Sequence, residues 1–116
     1  MTSIDSEHLR IQVSETDFCV NCSLVDGNFP AGAADMDYME DDTGKFWWLA
    51  RVVVKKKYRG CGYGRKMIEE LKARTNGLLI VVCPGGYDIT REEQDAFYMK
   101  CGFARQDKHT LIHISG

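Results

Sequence analysis

Three glycines alternate through Arg59-Gly60-Cys61-Gly62-Tyr63-Gly64, and Lys55, Lys56, Lys57, Arg65 and Lys66 surround them. This combination suits an anion. Glycines let successive backbone N–H groups converge, and a helix starting in the same run adds unpaired donors and the positive end of its dipole. The loop therefore reads as a phosphate cradle. A nucleoside-triphosphate loop would need Gly-Lys followed by Ser or Thr to hold magnesium, but Gly64 is followed by Arg65 and Lys66. A dinucleotide fingerprint would place glycine where Arg65 stands and an acid about 20 residues on, where the next apolar run instead ends in Cys83-Pro84. Neither pattern fits. Taken singly, each lysine of 55–57 reads as a solvated charge at a strand end, and Gly62 and Gly64 as a tight turn.

The surrounding segments indicate how such a loop would be held. His8–Val13 and Phe18–Val25 read as a hairpin around the polar turn 14–17, followed by a third strand over Ala33–Glu40. Lys45–Val54, with Phe46, Trp47, Trp48, Leu49 and three consecutive valines, reads as a strand apolar on both faces and central to the sheet. After Gly62 the period changes. Tyr63, Met67, Ile68 and Leu71 follow helical spacing, and Asn76-Gly77 supplies a stop. A short strand over Leu78–Cys83, ended by Pro84-Gly85-Gly86, precedes a helix over Arg91–Lys100. Thr90 and Glu93 cap that helix, Gly102 ends it, and a last strand spans Thr110–Ile114. The expected fold class is α/β (α+β): a mixed, mainly antiparallel sheet carrying a β-α-β-α unit, in a single domain over residues 1–116.

Composition sets bounds on function. Fifteen basic against seventeen acidic residues, a net charge of −2, argue against a nucleic-acid module built on Lys55–Lys66 alone. No apolar run is long enough to span a bilayer, and no secretory leader is evident. Five scattered cysteines fit free thiols in a reducing cytoplasm. Cys19 and Cys22 have the spacing of half a zinc site but lack a second pair, so no metal site is assigned.

The run Val54–Gly64 resembles the acyl-CoA signature of the GNAT N-acetyltransferase superfamily, Arg/Gln-x-x-Gly-x-Gly/Ala, with Arg59, Gly62 and Gly64 at its specified positions. Ala96-Phe97-Tyr98-Met99-Lys100-Cys101-Gly102-Phe103 is similar to the family's second signature, Phe-Tyr-x-x-x-Gly-Phe. The two occur in the family's order and together cover about the last two thirds of the chain. The resemblance implies acetyl-CoA as cosubstrate, bound by Arg59, Gly60, Cys61, Gly62, Tyr63, Gly64, Arg65 and Lys66, with the backbone N–H groups of Arg59 to Gly64 on its pyrophosphate and the basic neighbours suiting its remaining phosphate. It also implies main-chain pairing of Val52 and Val54 with the pantetheine arm. Tyr98 becomes the expected acid: a phenol titrating near ~10 can protonate a thiolate leaving near ~8.5.

Two departures from the family pattern bear on the acceptor. Many members carry a glutamate on the central strand where Ala50 stands. The carboxylates Asp35, Asp37, Glu40, Asp41 and Asp42 are near in sequence, and His8, His109 and His113 are further candidates for a proton acceptor. The family also places two helices between its first two strands, whereas only Ser14–Asp17 stands here. The expectation is therefore an open acceptor surface suited to an amine, either a protein lysine or a cationic small molecule, unless a homodimer supplies the wall. Direct transfer needs no covalent intermediate through Cys61 or Cys101. The alternative is a non-catalytic acyl-CoA-binding or protein-interaction domain on the same fold.

Overall fold

The computed structural model describes residues 9–84 and 90–114. The expected strand start at His8 and the Gly85-Gly86 stop lie outside the described residues. In chain order the elements are β1 (Leu9–Glu15), β2 (Cys19–Asp26), β3 (Phe29–Asp41), β4 (Gly44–Val54), a 3-10 turn (Lys56–Tyr58), α1 (Tyr63–Lys72), β5 (Ile80–Val82), α2 (Arg91–Lys100), β6 (Ala104–Arg105) and β7 (Leu111–His113). They form one seven-stranded sheet in the order β1-β2-β3-β4-β5-β7-β6. The β1–β4 meander is antiparallel, and β4 is joined to β5 in parallel through α1, because a helix is what a parallel crossover requires. The expected fold class holds.

Both helices pack on one face. α1 buries Gly64, Met67, Ile68 and Leu71, a 3.6-residue stripe, across β2, β3 and β4. There it meets Val20, Cys22, Leu24, Ala34, Met36, Trp47 and Leu49, all buried. α2 joins the same side: Tyr98 stacks on Phe103, Phe103 on His113, and His113 pairs with Ile80, whose neighbour in register is Trp47. On the reverse face lie Trp48, Val81 and Ile112, paired in one row across β4, β5 and β7. No described helix covers that face. The β1–β2 connection is too short to carry one. Among the described residues, no helix is long and apolar enough to cross a membrane.

Several boundaries differ from expectation. α1 stops at Lys72 rather than running to Asn76, because Thr75 turns inward: its hydroxyl donates to the Lys72 carbonyl, and its own carbonyl accepts the Trp47 indole N–H at 3.0 Å. Asn76 and Gly77 then adopt positive φ, 54° and 83°, in the connection to β5. β5 and β7 are each three residues long, shorter than their apolar runs, and β6, two exposed residues, left no periodic trace. Cys19 and Cys22 do not face one another: Cys22 is buried under α1, where burial pushes its thiol up to about 11, and Cys19 sits at the strand end beside Thr16.

The largest correction concerns β4. It lies fourth of seven strands, but it is not buried on both faces: Ala50, Arg51 and Val53 are exposed, Val53 by 45%. No described helix covers one face of it, and a one-residue bulge sets which residues fall on that face. Met36 pairs with Leu49 and Asp35 with Arg51, so Ala50 is an extra residue on β4. Before it, odd-numbered Trp47 and Leu49 face the helices; after it, even-numbered Val52 and Val54 do.

Candidate functional site

The bulge also reverses which backbone groups look toward which neighbour. Trp47 N–H donates to the Leu79 carbonyl at 2.9 Å, toward β5, whereas Lys55 N–H donates to the Ala31 carbonyl at 2.8 Å, toward β3. Past Ala50 the odd residues thus bond β3, and the main-chain groups of Val52 and Val54 point the other way. Nothing in the ladder meets them there, because β5 pairs with β4 only at Trp47 and Trp48. The two parallel strands diverge beyond this point. The result is a strand edge with no strand beside it, opening on a cleft of about 1040 Å³.

One end of that cleft is the glycine loop. Gly60 and Gly62 have φ of 83° and 82°, left-handed values that other residues adopt only with strain, and Gly62 is the N-cap of α1 without a side-chain cap. The first helical bond runs from Lys66 N–H to the Gly62 carbonyl, so the N–H groups of Tyr63, Gly64 and Arg65 have no intrahelical partner. Gly64 is required for a different reason. A Cβ there would lie 3.1 Å from Cζ of Phe97, so the helix start and α2 touch through it. The loop is tied down at its N-terminal flank by two side chains. Arg59 Nε donates to the Val54 carbonyl at 2.7 Å, and the buried Tyr58 hydroxyl donates to Asp26 at 2.6 Å, which pushes the Tyr58 phenol pKa up.

Tyr98 stands at the other end. It is 94% buried (6% exposed), packed edge-on to Phe97 at 5.2 Å and against Phe103 at 5.5 Å, and it borders the cleft. Burial pushes its phenol up to about 12, with the neighbouring Cys101 adding to the shift. The hydroxyl is therefore neutral at any working pH. Among the described residues it has no hydrogen-bond partner. The hydroxyl is not sealed from solvent, since the buried unpaired side-chain oxygen among the described residues is Asp95 Oδ1, and a group entering the cleft could take its hydrogen bond.

Of the sequence-predicted residues, the cleft brings together Val52, Val54, Arg59, Gly60, Gly62, Tyr63, Gly64, Arg65 and Tyr98. Cys61 and Lys66 stand outside the wall. The Cys61 thiol is exposed near the Arg59 carbonyl, and the Lys66 ammonium lies 5.3 Å from the Tyr63 ring centroid. Lys55 and Lys57 are likewise laid on aromatic rings, of Phe29 and Tyr58. Neither His109 nor His113 borders the cleft. Cys101 does, but burial pushes its thiol up, which disfavours the thiolate.

Sequence reasoning missed Arg51, Glu93, Gln94 and Lys100 in the wall. The last three were findable, since they lie three or four positions from Phe97 on one helix face. Arg51 was not, because its orientation depends on the bulge.

A family model described as the acetyltransferase (GNAT) domain matches residues 19–105. Similar solved structures include the CoA complex of the GNAT family N-acetyltransferase YhbS of Escherichia coli, with 15% identity and a TM-score of 0.71 over 92% of this chain and 81% of that one. AtaTR solved with acetyl-CoA matches with 12% identity and a TM-score of 0.72 over 94% of each chain. An acetyltransferase from Thermus thermophilus matches with 18% identity and a TM-score of 0.68 over 84% of this chain, which spans 65% of that protein's length. No curated protein matches the sequence. At such identities the structural likenesses establish the fold, and the family assignment rests on the matched model. With that match spanning well over half of its 116 residues, from β2 through β6, the chain belongs to the GNAT acetyltransferase family.

Proposed function

We propose that this protein transfers the acetyl group of acetyl-CoA directly to a primary amine. The observation that carries the reading is one cleft joining three features: a strand edge at Val52 and Val54 with no strand beside it, the N–H groups at the start of α1 without intrahelical partners, and the Tyr98 hydroxyl bordering the cleft. These residues fit coenzyme A. The α1 N-terminus with Gly60 and Gly62 would take the pyrophosphate, since convergent N–H groups and the helix dipole favour anions. The Val52 main chain and the Val54 N–H would pair in strand fashion with the amide-bearing pantetheine arm, the Val54 carbonyl being held by Arg59, and direct the thioester toward the bulge. The same open edge offers a main-chain donor for the oxyanion that develops on attack. Tyr98 keeps its proton at neutral pH and would deliver it to the departing sulfur. Arg59, bonded to the Val54 carbonyl, keeps loop and strand in one register.

The acceptor would approach over the sheet face that carries no described helix, as a protein lysine or a cationic small molecule drawn by the acidic stretch 35–42. The test is release of free CoA thiol from acetyl-CoA in the presence of polyamines, aminoglycosides and lysine-bearing peptides, comparing wild type with Tyr98→Phe. Turnover should fall about 100-fold or more in the variant with little change in KM for acetyl-CoA. Acetyl-CoA binding without thiol release for any amine would instead favour the non-catalytic acyl-CoA-binding reading.

A further inference from the structure

Ala50 removes the carboxylate that many GNAT members place on this strand, and the bulge sets another in its neighbourhood. Asp35 is the β3 residue at the bulge, paired in register with Arg51. Ala34 and Met36 on either side of it are buried against α1, so its side chain lies on the opposite, helix-free face. There it makes an ion pair with Arg51 Nε. The two partners differ in exposure. Asp35 is 16% exposed and held in place, whereas Arg51 is 60% exposed and borders the cleft. The other acids of the stretch, Asp37 and Glu40 to Asp42, are exposed and farther from the bulge in register. Asp35 alone of the five combines low exposure, a cationic partner and a place in register with the bulge, beside Arg51 of the cleft wall.

We infer that Asp35 is the acceptor-binding carboxylate: it takes the substrate ammonium in place of the Arg51 guanidinium and accepts the proton that the amine must lose. This rests on the transfer reading above. In atom balance, R–NH3+ gives one proton to Asp35, and the neutral amine attacks the thioester carbonyl carbon. A C–N bond forms, the C–S bond breaks, and the sulfur takes the Tyr98 proton. The tyrosinate recovers a proton from the acylated nitrogen, leaving amide and CoA thiol, and Asp35 passes its proton to solvent. Arg51 acts as a placeholder for the ammonium. It keeps the carboxylate paired while no acceptor is present and swings outward when one arrives.

The experiment compares two kinds of acceptor on the intact chain: spermidine, which arrives as a cation, and an arylamine, which arrives uncharged at neutral pH. Asp35→Asn should lose about 100-fold in kcat/KM with spermidine and stay within about threefold with the arylamine, with KM for acetyl-CoA unchanged. Asp35→Glu should recover part of the loss, and Arg51→Gln should lower KM for spermidine severalfold by removing the competitor. Equal loss with both acceptors, or none with spermidine, would overturn the assignment. A different failure is separable: if wild type binds acetyl-CoA, seen as a raised melting temperature, yet acetylates neither amine, the transfer reading itself falls and the role of Asp35 with it.

Discussion

The two halves of β4 are both mainly apolar and have opposite surroundings. Before Ala50, Trp47 and Leu49 are buried under α1, the Trp47 indole is bonded to the Thr75 carbonyl, and β5 completes the ladder. After Ala50, Val52 and Val54 are half-buried, Val53 faces solvent, and one backbone edge has no strand beside it. A single inserted residue thus separates a segment paired on both edges from one that is open on the β5 side. Hydrophobicity does not distinguish them; pairing does.

The comparison is broken most forcefully from the buried half. Trp47→Ala deletes a ring that is 4% exposed together with its hydrogen bond, and such truncations cost about 3–5 kcal/mol, a large share of the stability of a small domain. Urea melts should show that loss. If the cost were below about 1 kcal/mol, Trp47 would not be the pillar of the packed half.

The next effect is read in pH. Unfolded, Tyr98 ionises near ~10; folded, burial holds its proton up to about 12. Its folded pKa is raised, so its contribution is fully present below pH ~10 and is lost as pH climbs toward about 12. The difference corresponds to roughly 2–3 kcal/mol. Chemical melts from about pH 8 upward should therefore show wild type losing stability faster than Tyr98→Phe, and parallel curves would mean that ionisation of this phenol is not coupled to folding. Somewhat smaller is Gly64→Val, which forces a branched side chain into the contact with Phe97 where even a Cβ would sit at 3.1 Å. Overpacking of this kind costs about 1–3 kcal/mol, and the acetyl-CoA-induced rise in melting temperature should shrink with it.

These residues also mark what the sequence could and could not convey. The glycine loop, the α1 stripe and the Thr90–Glu93 cap are local signals, set by backbone sterics, a 3.6-residue period and one short-range hydrogen bond; the structure returns the cap as the Glu93 N–H donating to the Thr90 hydroxyl at 3.1 Å. The early end of α1 depends on Trp47, 28 residues away, and no local pattern carries it. β6 is two residues held only by β7. The bulge left no signal because Phe46–Val54 is apolar on both sides of it apart from Arg51, so the strand pattern has no alternation whose phase could be seen to slip. Asp35, legible only as one of five acids, stands out from its neighbours once that phase is known.

The smallest effect is the most exacting test of the phase. Val53 lies between two valines that face the helices, yet its own side chain is 45% exposed on the other face. Val53→Thr keeps a β-branched residue in a strand, adds one hydroxyl to a solvated surface, and should change stability by no more than about 0.5 kcal/mol. The same substitution at Val54, which packs against the core and stands 3.6 Å from a Cβ placed on Gly64, puts that hydroxyl against apolar neighbours and should cost about 1–2 kcal/mol. The ordering of the two is what the bulge dictates. An unbroken alternation from Trp47 and Leu49 would bury the odd residue and expose the even one, so paired melts of Val53→Thr and Val54→Thr decide between the two phases by the sign of their difference.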